Sequence, residues 1–127
     1  MIDLDPPQKF WDLSALLDWI GRLYNYVKPS VSPVTIASGV ITVSCHHMIV
    51  DTESAAASDD LDTLNPGRNG YRVILQAANS ARTVVVKDGT GNMKLAGDMT
   101  LDNAEDTIEL VFNGTAWYEL SRSNNGA

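Results

Sequence analysis

The stretch VVVKDGTGNMKLAGDMTL, from Val84 to Leu101, decides how this chain folds, because its glycines fit either a phosphate-binding loop or two strands and a turn. A G-x-G-x-x-G loop that starts at Gly89 and Gly91 requires a third glycine where the chain has Lys94, and no Gly-Lys-Ser/Thr follows. Phosphate loops also open a helix, whereas an alternating segment follows here. The stretch therefore predicts strand, turn and strand. The positions that share one strand face are Met93, Leu95, Gly97, Met99 and Leu101.

The polar residues and glycines of this turn have separate predicted roles. We expect the side chains of Asp88 and Asn92 to bond their own backbone, with the turn glycines supplying positive φ. We expect Gly97 to let a neighbouring backbone approach closely, since it has no Cβ.

The chain from Thr35 onward has the same strand character. Runs rich in β-branched residues recur between turn residues, without a repeat of fixed period. Asn113-Gly114 predicts a hairpin between DTIELVF and TAWYEL in which Leu110 lies opposite Trp117. The predicted fold is mainly β, with a short N-terminal α-helical arm and linker (1–34), a small antiparallel β-sandwich or β-prism-like domain (35–122), and a polar tail (123–127) that frays.

The N-terminal segment FWDLSALLDWIGRLYNYV predicts a helix with two apolar stripes, where an ordinary surface helix has one. A linker from Lys28 to Val34 follows, because Pro29 and Pro33 cannot continue the helix. Two stripes indicate cover on two sides, by copies of the helix, by another protein, or by the β-domain of the same chain. The first stripe is a heptad a/d seam of Phe10, Leu13, Leu17, Ile20, Tyr24 and Val27, and the second is Leu16, Trp19, Leu23 and Tyr26.

The helix also supplies the candidate interface residues of the chain. Large aromatic and aliphatic side chains on an exposed helix are the residue types that anchor protein interfaces. The predicted partner or trimer interface comprises Phe10, Trp11, Leu13, Leu17, Trp19, Ile20, Leu23, Tyr24 and Val27.

Composition and charge limit the function classes. The 127 residues carry a net charge of -7, which argues against nucleic acid or an anionic membrane as a partner. The single cysteine, Cys45, permits no internal disulfide. The N-terminus lacks the pattern of a secretory signal, and charged residues interrupt the helical segment, so we expect a protein used as made in the cytoplasm.

Two clusters contain the residue types of metal or catalytic sites. Cys45 with His46 and His47 suits a metal ligand set only if copies of the chain meet at an axis, and a Cys-His dyad lacks an orienting group. The acidic run at 59–62 does not follow calcium-loop spacing, and SDDLDTL predicts a short helical turn capped by an aspartate. We therefore predict no catalytic residue, no metal, no cofactor and no enzymatic activity.

Three segments together resemble a known protein family: VDTESAAASDDLDTL, GYRVILQAANSARTVVVKDGTGNMKLAGDMTL and IELVFNGTAWYEL. The region from about Gly39 to Asn124 is similar to a β-domain of tailed-bacteriophage virion proteins, with Arg82–Gly97 and Asn113–Glu119 carrying most of the likeness. The resemblance implies a homotrimer packed around a threefold axis. The first 38 residues show no such resemblance.

The resemblance leads to a ranked set of expected functions. The first is a homotrimeric capsid decoration (cement) protein that binds the major capsid protein through its N-terminal arm and stabilises the capsid surface. The alternative is a tail-fibre or spike tip, or a receptor-binding module, attached to a tail protein. An enzyme on a trimeric scaffold is a third, for which the sequence shows no cluster of carboxylates. Each of these functions implies that the protein is made in the host cytoplasm and becomes part of the virion, on the capsid surface or alternatively in the tail.

Overall fold

The computed structural model describes residues 13–27 and 30–126 and shows one helix followed by eleven strands. The predicted mainly-β fold behind an N-terminal helix is confirmed. A short turn at Glu53–Ala55, in which Ser54 and Ala55 have positive φ values of 53° and 56°, separates β3 from β4. The elements are α1 (Leu13–Val27), β1 (Val31–Thr35), β2 (Val40–Thr42), β3 (His47–Asp51), β4 (Ser58–Leu61), β5 (Thr63–Asn65), β6 (Arg72–Ala77), β7 (Thr83–Val86), β8 (Met93–Lys94), β9 (Met99–Leu101), β10 (Thr107–Phe112) and β11 (Trp117–Ser123).

The strands form three sheets, and the chain passes through them in successive turns like a short solenoid. The first sheet has the order β1-β3-β6-β10-β11-β8, the second pairs β2 with β5, and the third has the order β4-β7-β9. Strands of consecutive turns stack in parallel in all three sheets: β1 on β3 and β3 on β6, β2 on β5, and β4 on β7. The predicted antiparallel arrangement is therefore wrong for this part, because stacked turns of a solenoid run in the same direction.

Among the named strands of the described residues, antiparallel pairing involves β6, β7 and strands that follow them. Strand β10 pairs antiparallel with β6 and with β11, and β9 pairs antiparallel with β7. Since β10 and β9 lie against the last strands of the parallel stack, they cover sheet edges that would otherwise stay open.

The solenoid turns differ in length. Stacked partners are 16 residues apart between β1 and β3 (31 to 47), 27 between β3 and β6 (47 to 74), 23 between β2 and β5 (40 to 63), and 25 between β4 and β7 (58 to 83). Turns of unequal length give the sequence no fixed period, although the backbone stacks regularly.

One continuous apolar core lies between the sheets, because side chains alternate along each strand and every second one points inward. Full burial of each large apolar side chain contributes about 1.5–3 kcal/mol. Trp117 is completely buried, and its indole Nε1 donates to the Leu64 carbonyl at 3.1 Å. The largest fully buried side chains are Trp117, Ile36, Ile41, Met48, Leu61, Leu64, Leu75, Met93, Leu101, Ile108, Leu110 and Val50.

A single side chain takes the place of a third strand in the second sheet. On the open edge of β5, the Asn92 amide accepts from Leu64 N at 2.9 Å and donates to Leu64 O at 2.7 Å. The Asn92 backbone N–H donates to Asp62 O at 3.2 Å, and the Trp117 N–H donates to Asn92 O at 2.8 Å. The predicted bond from Asn92 to its own backbone is thus replaced by bonds to a distant strand, which satisfy the edge of the preceding turn.

The Asn113-Gly114 hairpin is confirmed, but the predicted pairing of Leu110 with Trp117 is wrong. Trp117 lies opposite Phe112, and Leu110 lies opposite Glu119. The shift arises because the Asn113 side-chain oxygen accepts from the N–H groups of residues 115 and 116, both at 3.0 Å, so the connection has four residues rather than two.

The predicted linker from Lys28 to Val34 overlaps a strand. Strand β1 begins at Val31 and pairs with β3 as the outer strand of the first sheet. Pro33 is compatible with this position because an edge strand does not require every backbone N–H to be paired. The extended backbone that prolines favour is here used for strand pairing rather than for a spacer.

A bidentate ion pair joins successive turns of the solenoid. The Arg82 guanidinium donates to both carboxylate oxygens of Asp51, at 2.7 and 2.8 Å. The hydrogen bond from Arg82 holds the pKa of Asp51 below its ordinary value. Because Asp51 ends β3 and Arg82 precedes β7, the pair fixes the corner through which the chain leaves the first sheet.

The C-terminal residues are anchored, so the predicted fraying of the polar tail is wrong for the described residues up to 126. The fully buried carboxylate of Asp106 accepts from the N–H groups of Asn125 (2.9 Å), Gly126 (3.1 Å) and Asn103 (3.2 Å). Burial raises the pKa of Asp106, but the hydrogen bonds from Gly126, Asn125, Asp102 and Asn103 outweigh burial and leave this pKa below its ordinary value.

We predict that Asp106 makes the folded protein acid-sensitive. Because its folded-state pKa is lowered, its contribution is fully present above the unfolded value of about 3.9 and is lost as the pH falls through the folded-state pKa. Asp106→Asn should lower the free energy of unfolding at pH 7 by about 1–3 kcal/mol and flatten its decline below pH 4. Chemical denaturation across pH 3–7 measures both effects, with Asp60→Asn on the exposed face of β4 as the control. An unchanged acid profile in Asp106→Asn would contradict the prediction.

Candidate interaction surface

Four residues of the predicted heptad seam are exposed along α1. Leu13, Leu17, Ile20 and Tyr24 have exposed fractions of 65, 58, 47 and 64%. Their spacing of four, three and four residues places them on one side of the helix. The described part of the predicted seam is therefore an exposed apolar surface in the single protomer.

The remaining candidate interface residues are less exposed or lie outside the described residues. Trp19 and Leu23 are half-buried. Phe10 and Trp11 precede the described residues, and the side chain of Val27 is likewise outside them. The described members of the second stripe, Leu16, Trp19 and Leu23, are thus less exposed than the first-stripe residues Leu13, Leu17, Ile20 and Tyr24.

The seam has the chemistry of a helix-pairing surface. Among the described residues, the apolar core draws its members from residues 34 to 117, so the seam lies outside it. A helix of 15 residues is marginally stable in isolation and gains most of its stability from packing. Each large apolar side chain buried there would contribute about 1.5–3 kcal/mol. Asp18 and Arg22 form an exposed ion pair of 3.4 Å, which adds little by comparison.

The β-domain also exposes apolar side chains that the sequence interpretation missed as interface candidates. Val31, Tyr118 and Leu120 are 56, 42 and 47% exposed. The alternation in VSPVT was a signal for a strand with Val31 on one face, but Pro33 directed the interpretation to a linker.

Cys45, His46 and His47 are close in sequence but do not form one site. Cys45 Sγ donates to the His47 carbonyl at 3.2 Å, while His47 Nε2 bonds Gln76 Oε1 at 2.8 Å. His46 stacks on Tyr71 with 4.3 Å between ring centroids, and its Nδ1 lies 2.7 Å from the Arg72 carbonyl. In the described part of the chain, no group of three or more His, Cys, Asp or Glu side chains is placed to hold a metal ion.

The acidic run at 59–62 forms a strand and its turn, so the predicted short helical turn is wrong. Asp59 and Asp60 lie on β4, which pairs in parallel with β7. Asp59 Oδ2 accepts from the Glu53 N–H at 2.8 Å, and Asp62 Oδ1 accepts from the Thr63 hydroxyl at 2.8 Å. These carboxylates act on neighbouring backbone and hydroxyl groups in the solenoid corners.

The glycine-rich stretch has the predicted first strand and turn, and no helix follows its glycines, but the predicted single strand from Met93 to Leu101 is wrong, because β8 and β9 are short strands in different sheets. Gly89 and Gly97 have positive φ values of 77° and 97°. Asp88 Oδ1 accepts from the Leu95 N–H, and the Asp88 N–H donates to Asp98 Oδ1, both at 2.8 Å. The hydrogen bond from the Asp88 N–H, together with the one from the Lys87 ammonium group, holds the pKa of Asp98 below its ordinary value.

Within the single chain, a close backbone approach occurs at Gly91 rather than at Gly97, and an approach at Gly97 by another copy stays a prediction. A Cβ on Gly91 would lie 1.9 Å from the Asp62 carbonyl oxygen, whereas a Cβ on Gly97 would have no heavy atom within 4 Å. Gly91 directly precedes Asn92, so its missing side chain allows the Asn92 amide to reach β5. The stretch closes the solenoid and has no phosphate-loop geometry.

Comparison with known proteins identifies the β-domain. A family model for the phage depolymerase C-terminal beta sandwich domain matches residues 34–118, from within β1 into β11. The chain belongs to this family. The match covers more than half of the 127 residues and excludes α1. No curated protein matches the chain closely enough to count as a relative.

Family membership supports a phage tail-associated structural β-domain, which is the general part of the sequence interpretation. It gives no specific support to capsid decoration and fits the tail-fibre alternative better. The match is to a C-terminal domain of depolymerases, and no catalytic domain is matched. No helix among the described residues is long and apolar enough to cross a membrane.

We predict that Gly91→Ala lowers the free energy of unfolding more than the addition of one methyl group usually does. The added methyl group would collide with the backbone of Asp62, so either the turn or β5 must shift and the Asn92 bonds must break. The free energy of unfolding should fall by about 2 kcal/mol or more, measured by urea denaturation. Gly21→Ala, at an open position on α1, is the matched control and should leave the β-domain unchanged. Equal stability of the two variants would contradict the prediction.

Proposed function

We propose that this protein is a homotrimeric, non-enzymatic structural module of a phage tail fibre or tail spike. The observation that carries the proposal is the family match over residues 34–118, which assigns the β-domain to a domain type of phage depolymerases. In this proposal the β-domain forms the tip or a terminal part of the fibre, and α1 associates the copies or attaches them to a tail protein.

The exposed seam of α1 supports the trimeric part of the proposal. Leu13, Leu17, Ile20 and Tyr24 follow heptad spacing and are exposed in the single protomer. Side chains at a and d positions are covered when parallel helices of several copies pack around a common axis. Self-association through α1 would bury this seam and add stability to a helix that is marginal alone.

Capsid decoration, the first expectation from the sequence, is the less favoured function. It was based on the small size of the chain and its helical arm, features that suit a tail module equally well. The family match favours the tail because its description refers to a depolymerase domain. The net charge of -7 supports a protein partner rather than nucleic acid or an anionic membrane in either case.

The location in the virion tests the proposed function directly. We expect antibodies against the β-domain to label phage particles at the tail fibres or tail tip in immunogold electron microscopy. Particles that lack tails serve as the control and should carry no label. Labelling spread over the capsid would overturn the tail assignment and favour decoration.

We predict that Leu17→Glu dissociates the trimer. Three carboxylates would meet at the axis in place of three leucines, and each leucine contributes about 1.5–3 kcal/mol when buried. The association constant should fall at least about 100-fold in sedimentation equilibrium, while circular dichroism retains the β signal. Ser14→Glu, an exposed substitution on the same helix beside the seam, is the matched control and should leave the trimer intact. A wild-type chain that sediments as a monomer would overturn the trimeric proposal.

A further inference from the structure

Asparagine is followed directly by glycine at three places in the chain: Asn69-Gly70, Asn113-Gly114 and Asn125-Gly126. In such a dipeptide the side-chain amide carbon and the next backbone nitrogen belong to the same short segment, so the nitrogen can attack the carbon within one molecule. Glycine hinders this attack least, because it has no Cβ. The hydrogen bonds of the three dipeptides differ, and they decide which of them can react.

At two of the dipeptides, a hydrogen bond holds the backbone nitrogen that would attack. The Gly70 N–H donates to the Phe112 carbonyl at 2.7 Å. The Gly126 N–H donates to the buried Asp106 carboxylate at 3.1 Å. A bond to an ionised acceptor is stronger than one between neutral groups. Since attack requires the nitrogen to lose its proton, both bonds oppose the reaction.

The Asn125 side chain is also fixed at both ends of its amide. Its Oδ1 accepts from the Ser123 hydroxyl at 2.6 Å, and its Nδ2 donates to the Glu105 carbonyl at 2.7 Å. An attack by the Gly126 nitrogen would have to break these bonds as well as the one to Asp106. Asn125 is therefore the best protected of the three asparagines.

The Asn113 side chain has the opposite arrangement. Its Oδ1 accepts from the N–H groups of Thr115 and Ala116, both at 3.0 Å, so the amide is folded over the peptide that follows it. Asn113 and Gly114 are exposed to solvent, and within residues 30–126 no hydrogen bond holds the Gly114 N–H. Attack on the amide carbon places negative charge on Oδ1. Two N–H groups at this distance stabilise such a charge in the manner of an oxyanion hole.

We propose that Asn113 is a site of spontaneous modification, at which its side-chain amide is converted to aspartate and isoaspartate. The Gly114 nitrogen loses its proton to hydroxide and forms a bond to Asn113 Cγ. The bond from Cγ to the amide nitrogen breaks, and that nitrogen takes a proton from water and leaves as ammonia. The resulting succinimide is opened by water at either carbonyl, so no oxidant or reductant takes part. The proposal depends neither on the trimer nor on the position in the virion.

The modification changes the hairpin between β10 and β11. Opening to isoaspartate adds a carbon to the main chain inside a connection that the Asn113 N–H closes by donating to the Ala116 carbonyl at 3.1 Å. The connection joins Phe112 to the fully buried Trp117. We therefore expect conversion to loosen the strand pair beside Trp117.

Peptide mapping of the full-length chain tests the site. The protein is incubated in heavy-oxygen water in a mildly alkaline buffer, with and without urea, so that converted residues carry the label. Trypsin separates the three dipeptides into peptides 69–72, 95–122 and 123–127, and fragment spectra locate the label. In the folded protein, residue 113 should convert at least about tenfold faster than residues 69 and 125, because two donors stabilise its transition state. In urea the three rates should become similar.

The outcomes are distinct. Conversion of residue 69 or 125 as fast as residue 113 in the folded protein would overturn the proposal, and so would an intact Asn113 in the folded protein that converts only in urea. If residue 113 leads by the same factor in urea, the cause is the neighbouring sequence and the structural argument fails.

The variant Asn113→Ser is the matched control for the effect on the hairpin, because a serine hydroxyl can accept from the same turn but cannot form a succinimide. Incubated wild-type protein should unfold at a lower urea concentration than fresh protein, whereas incubated Asn113→Ser should unfold like its own fresh sample. Converted wild-type protein that unfolds like fresh protein would refute the loosening of the strand pair.

Discussion

The hydrogen bonds between the Asn92 side chain and Leu64 close the solenoid, and the arrangement around them depends on these bonds. Strand β5 has β2 on one side only, so its other edge would leave backbone N–H and C=O groups unpaired inside the protein. A side-chain amide presents one donor and one acceptor in the geometry of a peptide group, so one residue satisfies both. Gly91 permits the approach, and the Trp117 indole shares the Leu64 carbonyl while filling the core.

The local elements were predictable because they are encoded by neighbouring residues. The apolar alternation from Met93 onward, the Asn113-Gly114 turn and the heptad spacing of Leu13 to Tyr24 each depend on a few adjacent positions. The structure contains the hairpin and the helix that these patterns indicate, whereas the alternating segment is divided between β8 and β9. The seam residues are exposed in the single protomer, and the partner interface itself stays a prediction.

The stacking of the strands could not be predicted in the same way, since it is a property of residues far apart. Alternation shows which residues face inward and is the same for parallel and antiparallel neighbours. Turns of 16, 23, 25 and 27 residues conceal the repeat. The tail has the polar composition that is typical of a frayed end. The buried Asp106 nevertheless accepts hydrogen bonds from the N–H groups of Asn125 and Gly126. Composition does not reveal such a contact, because it joins residues that are far apart in the sequence.

In the proposed trimer, the short connection between α1 and β1 couples the helices to the β-domains. Two heptads of helix are marginal as an isolated coiled coil. Once the helices associate, however, the short connection holds the β-domains at a high effective concentration, and any contact between them forms without a new loss of translational freedom. Pro33 and the pairing of β1 with β3 add stiffness, because the connection leads directly into the sheet. A long flexible linker would lose this advantage, which gives a physical reason for a strand where a linker was expected.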